Sequence, residues 1–540
     1  MRLIESRWLA VASLLSCLAL FPTGAQSTVQ PRYGGTLRVE LHAASVSLDP
    51  REWKAGTVEF ATNEKMGALV FDRLVSLDNY GRFQPQLAVE WSHDASFKRW
   101  QFTLRANVKF SDGTALSAWE VAAALEPLLP KGQQISTSAN TVVIQSVAGI
   151  PDLLEELASG RFFVYRVQVD GTLTGTGPFF VAASSRGGAG SADSATAPGK
   201  SATGPQGSSA AGMTHLHFRA NEGTWSGRPF VDAIDVTLSV PPLRQLFDLQ
   251  LGKADLVELS PDLVRRAMQE NLRVWSSAPV LLYGLRFSEG QPSATKAELR
   301  EAIALSLDRQ TMANVLLQKQ AEPASSLLPQ WLSGYAFLFN METSPERAKE
   351  IRATLPAGVA TGAEPLHLRV DPPGDLAKLL GERVVVNARQ AAISLQVVSR
   401  TPLHSGSTAT ASSSEPAAGL HLFAWHYASL SPRVELESMM TTLNFGDSRE
   451  AELSSTDPEQ LYEREKKLLD EHRILPLIAL PEYAGLGQNV RDWMPARWGE
   501  WHLADVWLDL PSSGPAAADR ADPAKTPVTQ PLTQPMGAKP

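Results

Sequence analysis

A chain of 540 residues is longer than one hydrophobic core supports, so two or three domains are expected. A net charge of -8, with 43% hydrophobic and 20% charged residues, is ordinary for a soluble globular protein. It argues against nucleic acid and anionic lipid as partners, because no basic face is present to meet phosphates.

In chain order, residues 1–25 read as a secretory signal peptide. Arg2 and Arg7 precede a short apolar run from Trp8 to Phe21, and Thr23, Gly24 and Ala25 supply small residues for cleavage. The run is too short to span a bilayer comfortably. Cys17, the single cysteine, follows Leu14-Leu15-Ser16; lipid anchoring there is the less favoured alternative, since the apolar run continues through it. The mature chain would then lack cysteine, which leaves no disulfide or thiol chemistry.

Leu37, Val39 and Leu41 alternate with polar residues and predict a strand over 35–41. Ala68 to Val121 reads as a helix end, a strand, a hairpin and a cap. Trp100–Leu104 and Val108–Phe110 are expected strands, Ser111-Asp112-Gly113 a turn, and Ser117 with Glu120 a capping box. A strand is expected over 142–147 and a helix from Pro151 to Leu157. The spacing then predicts a strand within 230–240 and helices over 243–251, 297–308, 311–318, 345 onward and 376–390. Strands over 366–370 and 394–398 flank the last of these. Three low-complexity stretches, 184–212, 401–419 and 511–540, are rich in Ser, Ala, Thr, Gly or Pro, and no order is expected in them. This mixture points to α/β lobes built on mixed sheets.

Several segments line up with one family. Gly34-Gly35-Thr36-Leu37, Ser47-Leu48-Asp49-Pro50 and Gln86-Leu87-Ala88 with Glu90-Trp91 are followed by Val108-Lys109-Phe110-Ser111-Asp112-Gly113-Thr114. Thr176-Gly177-Pro178-Phe179, Asn221 with Trp225 and Gly227-Arg228-Pro229, Leu299 to Arg309, and Leu461 to Pro476 complete the series. In this order they resemble the family 5 extracellular solute-binding proteins, the oligopeptide, dipeptide and nickel binders of ABC transporters. The resemblance spans residues 33–510.

It implies a two-lobed periplasmic-binding-protein fold with hinge-connected lobes and an extra inserted domain. Lobe one would comprise 33–47, 170–279 and 474–510, the inserted domain 48–169, and lobe two 280–473. The function implied is capture of a peptide-like or other small organic solute and its presentation to an ABC permease in the inner membrane. The protein would be a periplasmic monomer with no cofactor, no metal and no catalytic residues. A ligand sensor or a degenerate member without transport duty is the alternative, and a hydrolase ranks below both, since no G-x-S-x-G elbow, P-loop or H-E-x-x-H helix is present.

One segment departs from the family. Peptide binders carry W-x-x-D-x-x-D-P, whose first Asp holds the peptide's amino terminus, but here Trp425 to Pro432 has Ala428 and Ser431 in place of both acids. Candidate ligand contacts are Trp425, His426 and Tyr427, with Trp53 beyond the first loop and Arg369 near the place where dipeptide binders grip a carboxylate. Trp425 could equally be strand core. His421 and His426, or His215 and His217, could form part of a metal site, though plain structural positions are favoured in the absence of positioned further ligands. Trp493, Trp498, Trp501 and Trp507 read as packing of a terminal segment and Asp112 as a turn residue. Glu155-Glu156 and the run Glu463 to Lys467 read as solvated helix faces.

Overall fold

The computed structural model describes residues 30–509 apart from 79, 187–212, 289, 357, 362, 399–416 and 445–455. The expected signal peptide, Cys17, the C-terminal tail and most of both internal low-complexity stretches lie outside the described residues. Residues 184–186 end a strand, and 417–419 lead into another.

Two lobes share one mixed sheet of eleven strands. On one side, Thr36–Glu40 lies parallel to Ala233–Thr237 and Leu256–Leu259. On the other, Leu366–Val370 lies parallel to Leu395–Val398 and Leu420–His426. The helix Asp375–Gln390 makes the crossover between Leu366–Val370 and Leu395–Val398, as a parallel pair requires. Two long antiparallel strands, Arg273–Phe287 and Ile474–Leu486, run through both halves and join them. Their register is irregular on both sides of Pro279, which faces Pro481. Neither proline has an N–H for the ladder, so backbone hydrogen bonds between the two strands are lost at this point.

Each part has its own core. Leu37, Val39 and Leu41 are buried with Phe179, Phe218 and Ile234 in lobe one, and Leu299, Ile303, Leu380, Val384 and Leu422 are buried together in lobe two. A fully buried Leu or Val of this kind stabilises by roughly 1.5–3 kcal/mol over an exposed one. A four-stranded antiparallel sheet packs against the helix Ala118–Leu125 around a third core that includes Trp100, Phe102 and Val121. The strand Arg99–Leu104 alternates exposed and buried residues, and the Ser117–Glu120 capping box is present in full.

Three expectations need correction. Val108–Phe110 is no strand; a single bridge from Lys109 to Ala115 closes the turn, where Asp112 accepts from Thr114 N at 2.9 Å. The helix expected over 311–318 is a three-residue α turn, Arg309–Thr311, running into a π turn, Met312–Leu316. Glu156 and Glu465 are not solvated: they are 3% and 0% exposed.

The helix Val58–Val70 places the site. Thr57 caps its start by accepting from Phe60 N at 3.2 Å. It is buried on most faces, Lys65 included, because it touches the strand Phe179–Arg186 of lobe one, the strand Leu420–His426 of lobe two and the turn Gly160–Phe162.

Candidate functional site

Between the lobes lies a cavity of about 20 Å³, lined by Glu64, Arg73, Trp331, Tyr427, Trp498 and Glu500 among others. That is room for about one water. Its walls come from five separate segments: the Val58–Val70 helix with the residues just after it, the 158–159 turn, the helix Gln330–Ser333, the 427–430 loop and the 498–500 return.

Arg73 is the buried cation of this site. Its guanidinium pairs with Glu500, donates to the Ala158 carbonyl at 2.5 Å and lies 3.9 Å from Glu64. It also sits over the Phe163 ring at 5.1 Å. Burial pushes the Arg73 pKa down, with Glu64 and Asp72 opposing. Burial pushes Glu64 up. Nearby His502 falls to about 4, through burial first and the Arg73 charge second. Gly160 seats Glu64 closely: a Cβ there would lie 2.1 Å from a Glu64 carboxylate oxygen.

The lobe-two wall is held by Glu435. Its carboxylate accepts from Trp425 Nε1 at 2.5 Å, from Ala428 N at 3.1 Å and from Ser429 N at 2.7 Å. Burial nevertheless pushes Glu435 up to about 7. Ser431 caps the helix Pro432–Thr442 and donates to Asp152, while Arg433 binds Asp152 at 3.0 Å and Glu156 at 2.7 Å. These contacts bring lobe two onto the 152–156 region.

At the joint, Lys65 pairs with Glu482 at 2.8 Å, and His426 Nε2 meets the other Glu482 oxygen at 3.2 Å. Lys65 also lies 4.9 Å from the Trp501 ring centroid. Burial alone would raise Glu482; Lys65 and His426 outweigh it and hold the group at about 2.

Of the residues singled out from sequence, Tyr427 lines the cavity, with its hydroxyl donating to Leu327 O at 2.7 Å. Trp425, 1% exposed, lies in a lobe-two core beneath the loop. His426 joins the Glu482 network. Trp53 donates to Ser47 O at 2.9 Å and meets Phe60 and Phe163 edge-on, packing against the lobe-one core. Arg369 binds Asp371 at 2.7 Å, and that carboxylate also takes His421 Nδ1 at 3.0 Å; none of these three lines the cavity. His217 sits 2.5 Å from Asp235. Among the described residues no group of three or more His, Cys, Asp or Glu is placed to hold a metal ion. Sequence reasoning missed Glu64, Arg73, Trp331 and Glu500, and it read Trp498 as packing. The charged pair Asp72-Arg73 inside the apolar run Ala68 to Leu74 was the available signal.

Residues 82–432 match the family model for bacterial extracellular solute-binding proteins, family 5. The nickel-binding protein NikA of Staphylococcus aureus is 23% identical over 310 residues, 54% of this chain and 55% of that protein, so the match spans about half the length of that relative. NikA from Brucella suis, solved in complex with Fe(III)-EDTA, superposes with a TM-score of 0.67 at 19% identity, covering 87% of this chain and 99% of that one. A dipeptide-binding protein from Pseudoalteromonas sp. SM9913, solved with Met-Leu, gives 0.70 at 14% identity, covering 88% and 100%. Likenesses at this identity establish the fold alone.

Proposed function

The chain belongs to the bacterial extracellular solute-binding proteins, family 5, and from that premise we propose that it is the substrate-binding component of an ABC-type importer. It captures a peptide-like or other small organic solute between its lobes, without covalent chemistry, and presents it to a membrane permease. The observation that carries this reading is the cavity walled by both lobes beside the two joining strands. A solute that touches Arg73 and Glu64 on one side and the 427–430 loop on the other favours the closed state, and only such differential contact shifts the equilibrium. The reading retains residues 1–25 as a signal peptide directing the chain to the periplasm as a monomer. It also keeps the lobe and inserted-domain limits expected from the sequence.

One observation favours the alternative of a sensor or degenerate member. The cavity has room for about one water, and Arg433 ties lobe two directly to Asp152 and Glu156. Calorimetric titration of the mature protein with peptides, metal chelates, sugars and opines, joined to small-angle scattering, separates the two. Saturable binding with a fall in radius of gyration supports capture. A compact protein that binds none of them supports the alternative.

A further inference from the structure

Three N–H groups converge on the Glu435 carboxylate, and no Lys or Arg pairs with it among the described residues. Oε1 accepts from Trp425 Nε1, and Oε2 accepts from both Ala428 N and Ser429 N. An ionised carboxylate offers about four lone-pair sites, so these donors fill three of them. Glu435 also lies in the first turn of the helix Pro432–Thr442, where the helix dipole favours negative charge. The arrangement fits the anion.

The neutral acid cannot keep all three donors. Its hydroxyl becomes a donor among donors, and only its carbonyl oxygen keeps full acceptor strength. If that oxygen serves Ala428 and Ser429, Trp425 Nε1 is left facing a hydroxyl, or the reverse. Either way a buried N–H loses its charge-assisted bond. Burial works against the anion and pushes the group up to about 7, so both forms are populated near neutrality. Few other titratable groups face it. From the strand Leu420–His426 comes His426, whose ring nitrogens meet Tyr427 O at 3.1 Å and Glu482 at 3.2 Å. From the loop comes Tyr427, a phenol that burial raises well above its ordinary value. Glu465 lies on the helix Pro458–Asp470, which packs against Pro432–Thr442. On its own helix Arg433 is occupied with Asp152, Glu156 and Glu437.

We propose that Glu435 is the positioning residue of the lobe-two wall, and that its ionised form holds Trp425 and the 428–429 amides in place. Proton uptake then loosens the wall and weakens capture. The proposal rests on the solute-capture reading above, because Glu435 does not line the cavity and acts through residues that do. Tyr427, Ala428 and Ser429 all line it, and the carboxylate holds the chain on both sides of Tyr427. Ala428 brings no polar side chain of its own, so its backbone depends on the acid from the helix. The same proton that relieves a buried charge therefore releases a donor from the wall.

The test follows the Trp425 indole N–H resonance of the full mature chain from pH 5.5 to 8.5, assigned by its loss in Trp425→Phe. Amide hydrogen exchange over 425–431, corrected for the intrinsic rate, is measured at both ends of that range. We expect the resonance to titrate with a midpoint near 7. Protection should be about tenfold or more greater at pH 8.5 than at 5.5, the scale of a hydrogen bond to a charged group. Glu435→Gln, which keeps the shape and loses the charge, should show neither dependence. A resonance that does not titrate, or constant protection, overturns the proposal while solute capture stands. A pH dependence that survives in Glu435→Gln belongs to His426 and overturns it too. Should Glu435→Gln not fold, the titration must survive in His426→Gln, and its loss there overturns the assignment. If none of the peptides, metal chelates, sugars and opines binds at pH 8.5, capture fails and the positioning role falls with it.

Discussion

The α-carbon of Gly56 lies against the Trp425 indole so closely that a Cβ at position 56 would stand 2.3 Å from the ring. Gly56 also adopts φ +81°, and its carbonyl accepts from His426 N at 3.0 Å. The segment before the Val58–Val70 helix is thus stitched to the last residues of the lobe-two strand Leu420–His426.

Gly56→Ala should destabilise the protein by roughly 2–4 kcal/mol, combining an overpacked contact with a left-handed backbone. The indole cannot retreat, since it is 1% exposed and tied to Glu435. Urea unfolding of the variant reads this directly. A loss under about 0.5 kcal/mol, the scale of a neutral surface change, would contradict the contact.

Stability should fall as pH rises from 5 to 7.5. Glu156, Glu435 and Glu465 are pushed by burial from the ordinary 4.5 to about 7. A carboxyl with a raised folded-state pKa binds its proton more tightly when folded. Its stabilising contribution is full below pH 4.5 and is lost as pH climbs through about 7. Glu482 acts in the opposite sense, since a group held at about 2 loses its contribution as pH falls from 4.5 toward 2. Glu465 accepts from Leu327 N at 2.5 Å and from Leu328 N at 3.3 Å. Glu465→Gln should therefore flatten the slope between pH 5 and 7.5; an unchanged slope would assign the effect elsewhere.

Removing Arg433 should loosen the contact between lobe two and the 152–156 region. Deleting one partner of a buried ion pair costs about 3–5 kcal/mol because the other charge is stranded. Arg433 keeps 15% exposure while Asp152 and Glu156 keep 8% and 3%, so Arg433→Met should cost roughly 2–3 kcal/mol after that discount. Small-angle scattering should show a larger radius of gyration, and a double-mutant cycle with Glu156→Gln should couple by more than about 1 kcal/mol. Additive effects with unchanged dimensions would remove the pair from any role in closure.

The scaffold was legible because local rules and tertiary structure agree in it. The alternating strand over 36–40, the strand from Trp100 to Leu104 and the Ser117–Glu120 box all appear where the pattern placed them. The site was not. Glu156 and Glu465 sit in charge-rich helical runs that look like solvated faces, and only distant partners, Arg433 and the Leu327 and Leu328 amides, explain their burial. The Val58–Val70 helix is enclosed on most sides and so shows no amphipathic stripe. Glu64, Arg73, Trp331, Tyr427 and Glu500 lie far apart in sequence, and no spacing rule connects them. Trp425 was legible as either wall or core; its 1% exposure and its bond to Glu435 make it the support of the wall.

Gly160 offers a way to disturb Glu64 without touching its charge. The atoms a Cβ at 160 would meet, at 2.1–2.3 Å, are the Oε1, Cδ and Cγ of Glu64, the far end of a side chain that can swing away. Gly175 presents the contrast: its Cβ would meet the backbone carbonyl oxygen of Val70 at 1.9 Å, which cannot move without shifting the helix end. Gly175→Ala should thus destabilise the fold by roughly 1–3 kcal/mol or more, as overpacking against fixed atoms does. Gly160→Ala should change stability by under about 1 kcal/mol while displacing the carboxylate from its seat. Urea midpoints measured on both glycine variants check this contrast. A loss in Gly160→Ala as large as in Gly175→Ala would mean that the Glu64 side chain cannot move aside.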